Sequence, residues 1–250
     1  MRSHLFALTK HQVWCYLGRS ELGLKLIRLY GNMSGRDFHI VEPDSDIVVE
    51  GYPRSANTYA VAALRLTNGN SLRMAHHVHG PGQITLGVYY GVPTIVLLRT
   101  PVDAVASLVQ RYPFLPARIA LKNYISFYKP LIQVADKVVI AEFREVINDM
   151  ESVLKRVNRK YDAGLAVPDI GELQIQIKEL VNEMDRRDRN SKSVNSNTVA
   201  LPNAARKESG DNIKQHIHTV AEDLVLQAND IYSKLLDTIP KSATTTTVSS

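Results

Sequence analysis

The residues with the clearest chemical potential form one run, Gly51-Tyr52-Pro53-Arg54-Ser55-Ala56-Asn57-Thr58-Tyr59. It follows an apolar stretch, 46–51 (DIVVEG), that reads as a buried strand, and it opens a helical stretch from Asn57 to Leu66. A loop leaving a strand and entering a helix aims backbone N–H groups at one point. The helix dipole adds partial positive charge there, so phosphate or sulfate is bound readily. Ser55 and Thr58 add hydroxyl donors, and Arg54 adds a charge. On the spacing GxxxxGK[ST], Gly51 and Thr58 take the first and last places, but Ala56 and Asn57 stand where the second glycine and the lysine belong. A nucleotide triphosphatase is therefore disfavoured, and a ligand with a single 5′-phosphate end fits better. The plainer reading of the same stretch is a polar turn that caps a helix.

A second strand-to-helix junction follows the apolar run Val92 to Leu98, at Arg99-Thr100-Pro101, with Pro101 suited to a first helical turn. Ser107 lies four residues after Asp103 on one helical face, near the strand-end Arg99. This makes either a second anion contact or a structural Arg99–Asp103 ion pair. Between the junctions, Ser71 to Val78 reads as a short strand ending in the histidines of His76-His77-Val78-His79-Gly80-Pro81. A histidine titrating near neutrality suits a general base, the role expected of His79. His77 is placed to touch the transferred group or to orient His79. The histidine cluster lacks an acidic or cysteine partner, so no metal is expected.

Taken in order, these motifs resemble the sulfotransferases that use 3′-phosphoadenosine 5′-phosphosulfate (PAPS). Their 5′-phosphosulfate loop reads roughly YPKSGTTW, and Tyr52 to Tyr59 matches it with Arg54 for Lys, Ala56 for Gly, Asn57 for Thr and Tyr59 for Trp. Their 3′-phosphate motif, Arg followed eight residues later by Ser, is met by Arg99 and Ser107. Their Lys-Thr-His-x-Pro element is met by His77-Val78-His79-Gly80-Pro81. The resemblance implies transfer of a sulfuryl group from PAPS to an acceptor hydroxyl or amine, with His79, Arg54 and His77 catalytic and no metal. It implies donor contacts from Arg54, Ser55, Ala56, Asn57, Thr58, Tyr59, Arg99 and Ser107, with Arg206 and Lys207 as the counterpart of a C-terminal Arg-Lys-Gly stretch. Glu142-Phe143-Arg144 departs from a Tyr-Glu-Asp sequence of many relatives. The alternatives are a P-loop kinase acting on a small molecule, and a non-catalytic anion- or nucleic-acid-binding module using Arg186, Arg187, Arg189 and Lys192.

The elements that must hold these residues alternate β and α. Residues 117–135 place Ala117, Leu121, Tyr124, Tyr128 and Ile132 on one helical face, and Lys137 to Ala141 reads as another strand. The pattern predicts an α/β fold with a mostly parallel central sheet and helices on both faces, a three-layer sandwich of P-loop nucleotide-binding type, with a helical C-terminal part. One domain is expected over 1–240, with 185–203 a polar lid loop and 241–250 a disordered tail. Near the N-terminus, Lys10, His11, Arg19 and Glu21 interrupt the apolar runs, so no membrane span or signal peptide is expected, and a helix packed on the sheet is. Hydrophobic residues at 44% and charged residues at 22% argue against disorder and fibrous repeats. A net charge of +5 favours polyanionic partners, and a lone cysteine, Cys15, fits a reducing compartment, the cytoplasm.

Overall fold

Four apolar runs become strands in the computed structural model, which describes residues 2–36, 38–167, 169–189 and 205–240. They are β1 (Ile47–Gly51), β2 (Met74–His76), β3 (Thr94–Leu98) and β4 (Val139–Glu142), ordered β2-β1-β3-β4 with every neighbouring pair parallel. The helices are α1 (Arg2–Leu17), α2 (Glu21–Ser34), α3 (Asn57–Asn68), α4 (Pro81–Tyr90), α5 (Pro101–Arg111), α6 (Ala117–Tyr128), α7 (Phe143–Asn148), α8 (Met150–Tyr161), α9 (Ile170–Arg189) and α10 (Ala205–Leu236).

Because strand side chains alternate between faces, the sheet carries two cores. Val49, Ile95, Leu97 and Val139 pack with Leu64 of α3, Val157 of α8 and Ile177 of α9. Val96, Leu98 and Ile140 pack with Leu108 of α5, Tyr124 of α6 and Ile217 of α10. The helix after β1 thus covers one face, and the helix after β3 covers the other. The two connections diverge at the carboxyl ends of adjacent strands, which opens the crevice where α/β sheets hold ligands.

The fold departs from the sequence expectation at four places. Only Met74–His76 of the expected 71–78 strand pairs with β1, because His77 and His79 adopt positive φ (60° and 55°) and leave the extended conformation. The expected 117–135 helix ends at Tyr128 and continues as a 3₁₀ segment, Lys129–Lys137. Pro130 has no N–H for the α-helical ladder and collides with its i−4 carbonyl. Residues 185–189 of the expected lid form the last turn of α9; they contain no glycine or proline, and arginine is a good helix former. The rest of that segment to 203, and the tail 241–250, lie outside the described residues.

The fourth concerns α1, which touches the core on one sheet face through Leu8 but is held mainly by the loop after β2. Trp14 Nε1 donates to the Val78 carbonyl at 3.0 Å, and Gly82 N donates to the Gly18 carbonyl at 2.9 Å. Gly18 and Gly80 meet backbone to backbone; a Cβ on Gly80 would lie 2.3 Å from the Gly18 oxygen, so only glycine fits this seam. Leu24 and Ile27 of α2 pack against Val78 of the same loop.

Candidate active site

The loop after β1 turns tightly because Arg54 (φ 73°) and Ala56 (φ 69°) both sit in the left-handed region. Ser55 is fully buried, its amide donating to the Tyr52 carbonyl at 3.2 Å and its hydroxyl 3.5 Å from that of Tyr128, so its side chain faces the core. The Tyr128 hydroxyl accepts from Tyr52 N (3.2 Å) and donates to the Leu97 carbonyl (2.6 Å), which locks the loop to β3. Asn57 Nδ2 donates to the Tyr52 carbonyl at 3.2 Å. An alanine in the left-handed region costs about 1 kcal/mol or more relative to glycine. Ala56→Gly is accordingly expected to raise unfolding stability by about 1 kcal/mol, read from the denaturant midpoint; an unchanged or lower midpoint would contradict the strain.

The second junction closes on this loop. Arg54 Nε donates to Ser107 Oγ at 3.0 Å, and Arg99 Nη1 donates to the Arg54 carbonyl at 2.7 Å. Arg99 lies over the Phe143 ring at 4.1 Å, and its own carbonyl accepts from the Tyr124 hydroxyl at 2.7 Å. Asp103 accepts from the Thr100 hydroxyl (2.6 Å) and pairs with Lys214 (2.8 Å), tying α5 to α10. Against the effect of burial, the Lys214 and Thr100 hydrogen bonds and the charges of Lys214 and Arg99 hold its carboxyl below the usual carboxylate range, so Arg99 also feels this carboxylate.

The three histidines divide into two systems. Arg65 Nη2 lies 3.3 Å from His76 Nε2, His76 Nδ1 lies 2.7 Å from His77 Nδ1, and His77 Nε2 lies 3.2 Å from Thr58 Oγ1. A guanidinium can only donate, so the chain has one direction: His76 accepts at Nε2 and donates from Nδ1, and His77 accepts at Nδ1 and donates from Nε2. Both rings are neutral in this chain. Burial pushes His77 down to about 3, with the charges of His79, His39 and Arg65 acting the same way, and burial also lowers His76 strongly. Thr58 accepts from His77, which leaves its own hydroxyl proton to donate into the cavity.

His79 has the opposite setting. Its Nδ1 donates to the Gly51 carbonyl at 2.9 Å and stands 3.5 Å from Glu50 Oε1. Burial alone would lower its pKa, but the hydrogen bond and charge of Glu50, with the Gly51 carbonyl, hold it above the ordinary histidine value. With the proton on Nδ1, Nε2 keeps the lone pair. Glu50 is itself fully buried and braced by Val78 N (3.0 Å), Gln83 Nε2 (3.3 Å) and Gly51 N (3.3 Å). This carboxylate was missed in the sequence, where it was absorbed into an apolar strand. Its signal was an acidic residue at a position buried on both faces, which has to be paired.

A cavity of about 960 Å³ opens over these groups, lined by Arg54, Thr58, His77, His79 and Arg99. Ala56, Asn57 and Tyr59 also line it; the Tyr59 hydroxyl is held by the Ile147 carbonyl at 3.3 Å. The cavity also has apolar and aromatic lining, with Trp14 and Cys15 of α1, Tyr112, Phe114 and Phe143. Burial raises the Cys15 thiol to about 11, so it acts as an inert wall group. Arg206 and Lys207 fall in the first turn of α10, but their side chains lie outside the described residues. Among the described residues, no group of three or more His, Cys, Asp or Glu side chains could hold a metal ion. The arrangement gathers anion donors beside a histidine base backed by a carboxylate, which equips it for proton removal next to a bound phosphate or sulfate. No protein-family model matches the chain, and no curated protein matches it.

Proposed function

We propose that the chain is a PAPS-dependent sulfotransferase, and that its sheet and flanking helices form a three-layer sandwich of the P-loop nucleotide-binding type. The observation that carries this reading is the meeting of the two anion motifs, Arg54 Nε with Ser107 Oγ at 3.0 Å and Arg99 with the Arg54 carbonyl at 2.7 Å. Motifs far apart in sequence converge at the switch point of a parallel sheet, beside a histidine whose other nitrogen is fixed.

An acceptor hydroxyl oxygen forms a bond to sulfur while the bond from sulfur to the bridging oxygen breaks, releasing 3′-phosphoadenosine 5′-phosphate. The acceptor proton passes to His79 Nε2. Arg54, the Thr58 hydroxyl and the loop amides face the charge that grows on the sulfuryl group and the leaving phosphate. Arg99 and Ser107 hold the 3′-phosphate, the group that distinguishes this donor from ATP. The donor set suits such a dianion: guanidinium, hydroxyl and amide N–H groups, with the Glu50 carboxylate turned inward and fully buried.

The test is a thermal shift. 3′-Phosphoadenosine 5′-phosphate is expected to raise the melting temperature where ADP does not. Arg99→Ala should weaken its affinity by about 10- to 100-fold, as losing a charge-assisted hydrogen bond does. Equal stabilisation by both nucleotides, or calorimetry showing unchanged affinity in Arg99→Ala, would sink the assignment.

A further inference from the structure

The face of the α1–α2 pair turned away from the cavity is unusually apolar. On α2, Leu22, Leu26, Leu29 and Met33 recur at helical spacing and are all exposed, Leu22 at 69% and Met33 at 80%. This stripe lies opposite the buried Leu24, Ile27 and Gly31. On α1, Leu5, Phe6, Val13 and Tyr16 are also exposed, while Lys10, His11 and Trp14 on the other side line the cavity. Each helix therefore has two apolar sides, one used by the fold and one unpartnered. Exposed apolar area on this scale marks an interaction surface.

Charge says what covers it. Residues 2–36 carry six basic residues against a single acidic one; Lys10 lines the cavity and Lys25 and Arg28 pair with Glu21 and Glu42, while Arg19 and Arg36 stand exposed at the two ends of α2. The segments outside the described residues, 190–204 and 241–250, are rich in Asn, Ser and Thr and offer no matching apolar sequence. Among the described residues, no helix is long and apolar enough to cross a membrane. Basic residues interleaved with large apolar ones on a surface helix are the composition that adsorbs to anionic lipid, with the apolar side chains sunk to the acyl boundary.

We propose that the outward face of α1 and α2 docks on an anionic lipid bilayer, which sets the cavity wall made by α1 against the membrane surface. This rests on the surface alone and is independent of the group transferred.

Co-sedimentation of the full chain with vesicles tests it. Binding is expected to vesicles of phosphatidylcholine mixed with phosphatidylglycerol, to fall with added salt, and to be lost on phosphatidylcholine alone. Leu26→Glu combined with Leu29→Glu should weaken binding about tenfold or more, with an unchanged melting temperature because both side chains are already exposed. Arg19→Glu keeps the leucines and should weaken binding only to the anionic vesicles. Equal binding to both vesicle types, binding to neither, or binding indifferent to the leucine substitutions overturns the proposal. So does sedimentation velocity showing a dimer that Leu26→Glu dissolves, since a second copy would then be the occupant.

Discussion

Replacing His79 by alanine is expected to lower kcat about 10³-fold, the scale of losing a general base, while leaving affinity for 3′-phosphoadenosine 5′-phosphate nearly unchanged. The split follows from the geometry. His79 Nδ1 is held by the Gly51 carbonyl and Glu50, so only Nε2 is left for chemistry, whereas donor recognition is assigned to Arg54, Thr58, Arg99 and Ser107. The same geometry gives the pH dependence. Only the neutral ring accepts a proton, and Glu50 holds the histidine above its ordinary value of about 6.5. Turnover should therefore rise with pH and level off above that raised value. A wild-type-like rate in His79→Ala, or a rate flat through this window, would remove His79 from the mechanism.

Glu50 is expected to show the largest effect on stability. Glu50→Ala leaves the Val78 and Gly51 amides and the Gln83 side-chain amide with a lost acceptor in a fully buried setting. At about 1 kcal/mol or more for each group, the variant should lose about 3 kcal/mol, readable in the denaturant midpoint. Glu50→Gln keeps the shape and removes the charge. Its turnover should fall about tenfold, because Gly51 still holds the Nδ1 proton, and its pH profile should move to lower pH. Stability carries the opposite sign. Since the folded-state pKa of His79 is raised, its coupling to Glu50 stabilises the fold fully below the unfolded-state value of about 6.5 and is lost as pH rises through the folded-state value. Wild-type protein should lose stability in the window where it gains activity, and Glu50→Gln should not. A wild-type stability profile in Glu50→Gln would break the pairing.

Much of the framework was legible because it is local. The run 46–51 followed by Asn57 onward yields β1 and α3, and Val92 to Leu98 with Pro101 yields β3 and α5. Each is a short apolar stretch punctuated by proline or a polar turn. Motif order linked the Arg54 loop and the Arg99/Ser107 junction to one resemblance, but the contact of Arg54 with Ser107 was not visible in either stretch. What escaped was nonlocal or backbone-determined. Glu50 makes sense only beside His79 and Gln83, which helix α3 and strand β2 separate from it in the chain. The end of β2 is set by positive φ at His77 and His79, a conformation that histidine tolerates better than most residues but that its type alone does not dictate. The Arg65–His76–His77–Thr58 chain needs a helix and a strand end side by side, so the cluster read in sequence as one unit splits into two.

The glycine seam between Gly18 and Gly80 bears on the order of synthesis. Chains are made from the N-terminus, so α1 and α2 are complete before the loop they rest on exists. Leu24 and Ile27 meet Val78, and Trp14 meets the Val78 carbonyl, only after β1 and β2 have been translated. Until then both sides of the helical pair face solvent. Closing the seam is a late, long-range event, in the class of contacts that slow folding. The α1 wall of the cavity is thus made well before the loop that holds it in place.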